Sequence, residues 1–350
     1  MKHFKKHICA LYFLLTAGVL FGSPNKEYEV LGLSSAIIDH FFFITDEQLK
    51  EFAIEKGGWA PIDYPTLSSI LEQNQGVSKM VPGGSGANVI KVMQKLGHSC
   101  TVLGKIGSGE KGEYYAKRMK DQGIVPLLKK GALPTGQAVC LITPDGQRTF
   151  RTYLGASHSL SDLTIDPNLF EQARLFHIEG YQLIDPDLVI RTLEGAKKMG
   201  VTVSLDLANV EIVKRNKEFI RNILEEYVDI LFCNKREAKE LTGLPPAEAC
   251  DKLSAFCEIA VVTMSERGSW ARSASEKVFM EARSVHTIDT TGAGDLYASG
   301  FLHGYLKGEP LRRCTWIGAL VASEVVRRIG AEIPDSIWEE IRIAISEDCL

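Results

Sequence analysis

The chain lacks the patterns that mark several large functional classes. Its 350 residues contain no G-x-x-x-x-G-K-[ST] sequence, which excludes a P-loop nucleotide-binding enzyme. The formal net charge is -4 and no long basic run occurs, which argues against nucleic acid as the main partner. The 8 histidines show no metal-ligand spacing, so we interpret most of them as surface or structural residues. No internal repeat, low-complexity tract or interdomain linker is visible.

Cysteine pairs are also missing, although the chain has 8 cysteines. They are scattered and form no C-x-x-C motif, which argues against a zinc site and against a disulfide framework. We interpret them as reduced, mostly buried thiols of a cytosolic enzyme. The composition, 45% hydrophobic and 24% charged, is ordinary for a soluble globular protein. A chain of this length holds either two average domains or one large α/β domain.

The N-terminus differs from the rest of the chain. Lys2, Lys5 and Lys6 precede an apolar run from Ile8 to Gly22, which is the layout of a secretory signal. The run is too short for a comfortable transmembrane helix. We interpret residues 1–27 as an apolar leader or a mis-assigned extension, and residues 28–346 as one domain. A cytoplasmic location without a stable membrane partner is expected, with tethering or export by the leader left open.

From residue 28 onward, apolar strand-like segments alternate with helical segments of 10–15 residues. This alternation indicates βαβ units and a mainly parallel sheet with helices on both faces. The predicted strands lie at about 28–34, 100–106, 137–143, 174–179, 201–206, 228–233 and 258–264. The predicted helices lie at about 84–96, 110–122, 187–199, 214–227, 235–242, 247–257, 292–307, 311–328 and 335–346.

Two stretches interrupt the alternation. Ala36 to Thr45 has the pattern of an extended strand, and the segments 137–143 and 148–154 flank a Pro-Asp-Gly turn signal at 144–146. Additional antiparallel strands beside a parallel core indicate a small β lid. We place the lid segments near 36–45, 77–83 and 137–155.

The segment Asp289–Ala298 is the most informative part of the chain. Two threonines lead into a turn of small residues, Gly292, Ala293 and Gly294, and an amphipathic helix follows. Backbone N–H groups at such a helix start favour a bound anion. Asp295 stands beside that anion, which fits phosphoryl transfer with Asp295 as general base and the turn as an anion hole. The alternative is an aspartate that caps the helix after a tight turn.

This segment closely resembles the C-terminal signature of the ribokinase-like (PfkB-type) carbohydrate and nucleoside kinases. Three further elements appear in the family's order: Val30–Leu33 leading to Asp39, the run Pro82–Asn88 followed by Leu96-Gly97, and Asn234–Glu237 as N-x-x-E. The resemblance extends from about Glu29 to about Pro334. It implies an α/β fold, a ribokinase-like three-layer sandwich with a mainly parallel central sheet and a small β lid over the substrate.

The resemblance also implies the substrate-binding residues. Asp39 matches the aspartate that binds substrate hydroxyls, and Gly83, Gly84 and Asn88 match the N-terminal signature. We add Glu179, because it ends a predicted strand at the sheet edge where α/β proteins bind ligands. Each has a structural alternative: a paired strand residue for Asp39, a loop-to-helix turn for the glycines with Asn88, and a loop cap for Glu179.

Nucleotide and metal ligands are implied in the same way. Asn234 and Glu237 would hold magnesium and phosphate, although their spacing also fits a capping box. Thr263 and Gly268 would contact ATP in a T-x-G-x-x-G-like loop, in which Ser265 replaces the usual glycine. Asp289 and Thr291 match positions that bind a monovalent cation such as potassium in part of the family.

The expected function is an ATP-dependent kinase that phosphorylates a primary hydroxyl of a sugar or nucleoside. Residues 44–78 and 151–157 resemble the bacterial adenosine-kinase-like branch. The family also implies a small-molecule substrate and a homodimer through the lid. Two other classes stay open: an NAD-dependent dehydrogenase using the G-x-G-x-x-G turn at Gly107–Gly112, and a non-catalytic nucleoside-binding protein.

Overall fold

The structure, a computed structural model, describes residues 28–52, 56–74, 79–145, 147–158, 160–163, 165–166 and 168–347. The leader predicted at residues 1–27 lies outside the described residues.

The strands of the described residues, in chain order, are β1 (Val30–Leu33), β2 (Ile37–Phe43), β3 (Trp59–Pro61), β4 (Lys79–Gly83), β5 (Cys100–Gly107), β6 (Val125–Gly131), β7 (Gly136–Ile142), β8 (Arg148–Tyr153), β9 (Leu175–Glu179), β10 (Thr202–Asp206), β11 (Ile230–Asn234), β12 (Ile259–Thr263), β13 (Ser269–Ser273) and β14 (Lys277–Met280). The α-helices are α1 (Asp46–Glu51), α2 (Tyr64–Gln73), α3 (Ser85–Lys95), α4 (Glu110–Asp121), α5 (Asn168–Glu171), α6 (Pro186–Lys198), α7 (Val210–Glu226), α8 (Lys235–Thr242), α9 (Pro246–Leu253), α10 (Ala293–Leu306), α11 (Leu311–Val325) and α12 (Asp335–Ser346). No described helix has both the length and the apolar character that crossing a bilayer requires.

A 9-stranded sheet forms the centre, in the order β14-β13-β12-β11-β10-β9-β1-β5-β6. The strands from β12 to β6 are parallel, and β13 and β14 extend this sheet antiparallel at one edge. The predicted parallel sheet is therefore confirmed. Strand β6 was missed because it lies at the other edge, where the run from Val125 to Gly131 is partly exposed and carries two lysines.

Helices cover both faces of this sheet. Alternate residues of one strand pack into two different cores, as Leu175 and Phe176 of β9 show, since both are fully buried. Phe176 belongs to the core that contains residues of α6, α7, α8 and α9, whereas Leu175 belongs to the core that contains residues of α3, α4 and α10. This arrangement is the expected three-layer sandwich.

A second sheet of 5 strands, in the order β3-β8-β7-β2-β4, forms the lid. Strands β7 and β8 are an antiparallel hairpin, as predicted, and β2 pairs with both β7 and β4. Phe42, Val139 and Leu141 pack on one face against Leu67 and Ile70 of α2. Because strand side chains alternate between faces, the intervening residues of β2, β7 and β8 face the central sheet.

The glycine-rich turn at Gly107–Gly112 joins β5 to α4, the context that a dinucleotide fingerprint requires. Its glycines, however, make room for protein backbone. A Cβ on Gly107 would lie 2.5 Å from the Thr135 nitrogen, and one on Gly112 would lie 2.1 Å from the Gly107 oxygen. The loop around Thr135 fills the space that a pyrophosphate would need, which removes the physical basis of the dehydrogenase alternative.

Candidate active site

A cavity of about 490 Å³ lies between the carboxyl ends of the parallel strands and the inner face of the lid. Most of the predicted site residues line it, although they come from opposite ends of the chain. Those residues are Asp39, Gly84, Asn88, Glu179, Asn234, Glu237, Thr263, Thr291, Gly292, Ala293, Gly294 and Asp295. Three predicted site residues, Gly83, Gly268 and Asp289, are not among the lining residues.

Asp295 lies in the first turn of α10 and faces the N-terminus of α3. Ser85 donates a hydrogen bond to one carboxylate oxygen at 2.7 Å, and the Asn88 amide donates to the other at 2.8 Å. Desolvation raises the pKa of Asp295 to about 6, although these two hydrogen bonds oppose the rise. The carboxylate is therefore held in place and is basic enough to accept a proton near neutral pH.

The turn before Asp295 leaves the start of α10 open. Gly292 is the N-cap with a φ of +74°, and no side chain of the described residues caps the helix. A Cβ on Gly292 would lie 2.5 Å from the Ala331 Cβ, so only glycine fits there. A Cβ on Gly294 would meet no protein atom within 4 Å. The Ala293 N–H donates to the Thr290 carbonyl oxygen at 3.3 Å, so the open part of this helix start is the space around Gly294, where an anion could approach.

Asp39 lies on β2 and faces the cavity beside Gly83, the last residue of β4, and Gly84, the N-cap of α3. A Cβ on Gly83 would lie 2.1 Å from the Asp39 carboxylate, so Gly83 makes room for that carboxylate. Gly84 has a φ of +98°, and a Cβ there would lie 2.2 Å from the Ser35 carbonyl oxygen. Desolvation raises the pKa of Asp39 to about 7, and the charge of Lys91 opposes the rise. No hydrogen bond to this carboxylate occurs among the described residues, which leaves it free for a ligand.

Glu179 ends β9 and is fully buried. Its carboxylate accepts hydrogen bonds from Ser34 Oγ at 3.0 Å, from the Ser35 N–H at 2.7 Å and from the Gly86 N–H at 2.5 Å. Gln182 donates a fourth at 2.9 Å. The carboxylate thus joins the loop after β1 to the start of α3, an arrangement that positions Asn88 and leaves little capacity for a direct substrate contact.

Asn234 and Glu237 form the capping box that the sequence allowed as an alternative. Glu237 accepts from the Asn234 N–H at 2.8 Å, and Asn234 accepts from the Glu237 N–H at 3.1 Å. Asp206, at the end of β10, faces the same cavity and was missed by the sequence analysis. Desolvation and the nearby charge of Glu237 raise the pKa of Asp206 well above its usual range. Neither carboxylate forms an ion pair with a side chain of the described residues, and two such carboxylates at the cavity wall fit a hydrated magnesium ion, which takes few protein ligands.

Arg148 was also missed. It starts β8, and the alternation of that strand places Arg148, Phe150 and Thr152 together on the cavity wall. The Arg148 guanidinium reaches across to residues 289–294, which we call the anion turn. There it donates to the Asp289 carboxylate and to the hydroxyls of Thr290 and Thr291. The period-2 pattern in the sequence was the available signal for its orientation.

The loop after β12 differs from the prediction at one position. Thr263 lines the cavity, but Gly268 packs against the last strand, since a Cβ there would lie 2.0 Å from the Met280 carbonyl oxygen. Ser265, which replaces the usual glycine, has a φ of +57°. It therefore adopts the left-handed conformation for which glycine is suited.

Replacing Ser265 with Gly is expected to stabilise the protein by about 0.5–1 kcal/mol. Relief of a left-handed non-glycine backbone gains about 1–2 kcal/mol, and the greater freedom of glycine in the unfolded chain offsets part of it. Denaturant unfolding measures the difference. Ser254→Gly is the control, because Ser254 has a φ of -67° and should lose stability. If the Ser265→Gly variant is less stable than the parent protein, the backbone of Ser265 is not strained.

The chain is similar to known kinases in both sequence and structure. The model of the pfkB family carbohydrate kinases matches residues 67–338. A cytidine kinase of Thermococcus kodakarensis is 26% identical over 256 residues, which cover 71% of this chain and 89% of that protein. The solved adenosine kinase of Sinorhizobium meliloti is 30% identical, with a TM-score of 0.84, covering 91% of this chain and 99% of that one. A probable sugar kinase from Rhizobium etli also has 30% identity and a TM-score of 0.84, covering 91% and 98%. The family model and these matches show that this chain belongs to the pfkB family of carbohydrate kinases.

Proposed function

We propose that this kinase phosphorylates the primary hydroxyl of a nucleoside, with ATP as the phosphoryl donor. The family establishes a sugar or nucleoside kinase and implies ATP. The choice of a nucleoside rests on one observation, the aromatic wall of the cavity. A free sugar offers hydroxyls for hydrogen bonding and presents no large planar face, whereas a nucleobase does.

The aromatic wall consists of Trp59, Phe150 and Tyr181. The rings of Trp59 and Tyr181 are 5.4 Å apart, and Trp59 Nε1 donates to Thr152 at 3.0 Å, which fixes the indole. Thr152 and Asp39 lie in the same row of the lid sheet, separated by β7. The row places Thr152, which holds the Trp59 indole, roughly 10 Å from Asp39, the width of two strand spacings. In this proposal Asp39 binds ribose hydroxyls while the aromatic wall binds the base.

The reacting groups follow from the geometry around Asp295. The substrate hydroxyl gives its proton to the Asp295 carboxylate as its oxygen forms a bond to the γ-phosphorus. The bond between that phosphorus and the β–γ bridging oxygen breaks, and ADP leaves with the electron pair. The N–H groups at Gly292, Ala293 and Gly294 stabilise the charge on the transferred group.

ATP would lie along the C-terminal half of the sheet, where Asn234 and Thr263 line the cavity. Magnesium, when bound near Asp206 and Glu237, would neutralise phosphate charge. The lid covers the substrate side and excludes water, which limits ATP hydrolysis. A purely non-catalytic binding protein would not require Asp295 to be held by Ser85 and Asn88.

The test is an ADP-release assay with adenosine, cytidine, ribose and fructose, repeated on Trp59→Ala. Loss of one base-stacking side chain costs about 1–3 kcal/mol, so the KM for a nucleoside should rise roughly 5- to 150-fold while kcat changes little. Phe43→Ala is the matched control, because Phe43 lies on the same strand as Asp39 but outside the cavity lining. A higher kcat/KM for a free sugar than for every nucleoside would refute the proposal.

A further inference from the structure

The carboxylate of Asp289, one residue before the threonines of the anion turn, is buried at 4% exposure. Four donors converge on it. Its Oδ1 accepts from the Arg148 guanidinium and from the Thr291 N–H and hydroxyl, the last two at 2.7 Å. Its Oδ2 accepts from the Gly330 N–H at 2.7 Å. Three donors share Oδ1 and one reaches Oδ2, so both carboxylate oxygens already accept hydrogen bonds.

This donor set does not fit a monovalent cation at Asp289 and Thr291. A potassium ion needs several oxygen atoms with free lone pairs, whereas each side-chain oxygen of Asp289 and Thr291 already takes part in at least one hydrogen bond. Thr291 Oγ1 donates to Asp289 and accepts from Arg148 at 2.5 Å. The guanidinium also brings a full positive charge that an added cation would meet at close range. No step of the transfer is therefore assigned to such an ion.

We propose that the Arg148 guanidinium takes the place of a monovalent cation beside the anion turn, so that the turn is held by the lid and the enzyme does not require potassium. The guanidinium and a potassium ion would each supply one positive charge beside the buried Asp289. The difference is that Arg148 belongs to β8 of the lid, whereas a free ion dissociates. Opening of the lid would withdraw the guanidinium from Thr290 and Thr291, so closure over the substrate and ordering of the anion turn become one event.

The proposal depends on kinase activity and holds whether the acceptor is a nucleoside or a sugar. The experiment measures kcat and melting temperature in potassium chloride and in tetramethylammonium chloride at equal ionic strength. The parent protein is expected to show the same kcat and the same melting temperature in both salts. Arg148→Met keeps the length of the side chain but removes its charge. It should melt several degrees lower in tetramethylammonium, because Asp289 is left buried without its partner.

Potassium should then restore part of what the Arg148→Met variant has lost. We expect a rise of about fivefold or more in kcat, the lower end of ordinary site-to-site coupling, together with a higher melting temperature. Arg151→Met is the control: Arg151 is on the same strand but on its other face, so this variant should show no potassium response. Potassium activation of the parent protein would overturn the proposal. A loss in Arg148→Met that potassium does not reverse in either measurement would also overturn it.

Discussion

An Asp295→Asn variant is expected to lose about 10²–10⁴-fold in kcat, the usual range for loss of a general base. The change keeps the size of the side chain and removes its ability to accept the hydroxyl proton. The Kd of the acceptor substrate should change little, because the proposed contacts to its hydroxyls come from Asp39 and Asn88. ADP release gives kcat, and calorimetry gives Kd.

The surroundings of Asp295 make this variant interpretable. In the parent protein Asn88 Nδ2 donates to the carboxylate, and the buried Asn88 Oδ1 has no hydrogen-bond partner in the part of the chain that the structure describes. A flip of the Asn88 amide would let Oδ1 accept from the new amide at position 295, so the variant can keep its packing. Ser85→Ala is the control, because it removes one hydrogen bond to Asp295 but keeps the base. A near-normal kcat in Asp295→Asn would show that another group takes the proton.

The pH dependence of kcat/KM provides a second measurement on the same residue. Catalysis needs ionised Asp295, and its pKa is raised to about 6, so activity should fall as the pH drops below about 6. An aspartate with an ordinary pKa would stay ionised down to about pH 4. Substrate binding by ionised Asp39, whose pKa is raised to about 7, makes kcat/KM begin to fall already below about pH 7. In a plot of log(kcat/KM) against pH, the slope should therefore steepen from one to two as the pH falls below about 6. In Asp295→Asn only the decline due to Asp39, below about pH 7, should remain.

The sequence predicted the central fold because its signals are local. The strand β12 is a short apolar run before a turn, and α10 begins directly after a glycine turn. The amphipathic pattern predicted for α10 is wrong, because the helix is buried on all sides from Leu296 to Gly304, where it packs against α3 and α11. The lid helices α1 and α2 were missed, although Thr45 and Gln48 form a capping box that the sequence contains. Both are short and amphipathic, and they exist because they cover the outer face of a sheet that is itself distant in sequence.

The candidate site was predictable only in part. Glycines with a positive φ, such as Gly84 and Gly292, fall at recognisable turns. The pairing of Arg148 with Asp289 joins residues 141 positions apart, and no periodicity relates them. Asp206 and Glu237 meet for the same reason, since each ends or follows a parallel strand whose neighbour is set by topology. The roles of the individual site residues stay predictions, which variants at Asp295, Gly294 and Arg148 test.

The second large effect is expected at the anion turn, in a Gly294→Val variant. Its kcat should fall about 10²–10³-fold, the cost of losing one preorganised donor to the transition-state charge. The sequence left open whether strain at a positive φ would add to this. In the structure the positive φ belongs to Gly292, whereas a Cβ on Gly294 meets no protein atom within 4 Å. The variant should therefore fold, and its valine should occupy the space where the phosphoryl oxygens bind.

The matched control for Gly294→Val is Gly109→Val, at the start of α4 and outside the cavity lining. A Cβ on Gly109 also meets no protein atom within 4 Å, so both variants add the same side chain to an open helix start. Only Gly294→Val should lower kcat, and its acceptor Kd should stay nearly unchanged because Asp39 and Asn88 are intact. If kcat falls and acceptor binding weakens by the same factor, or if neither changes, then the turn only begins a helix and does not stabilise the transition state. The pair of measurements therefore decides whether the N–H groups of α10 act on the transition state or only begin a helix.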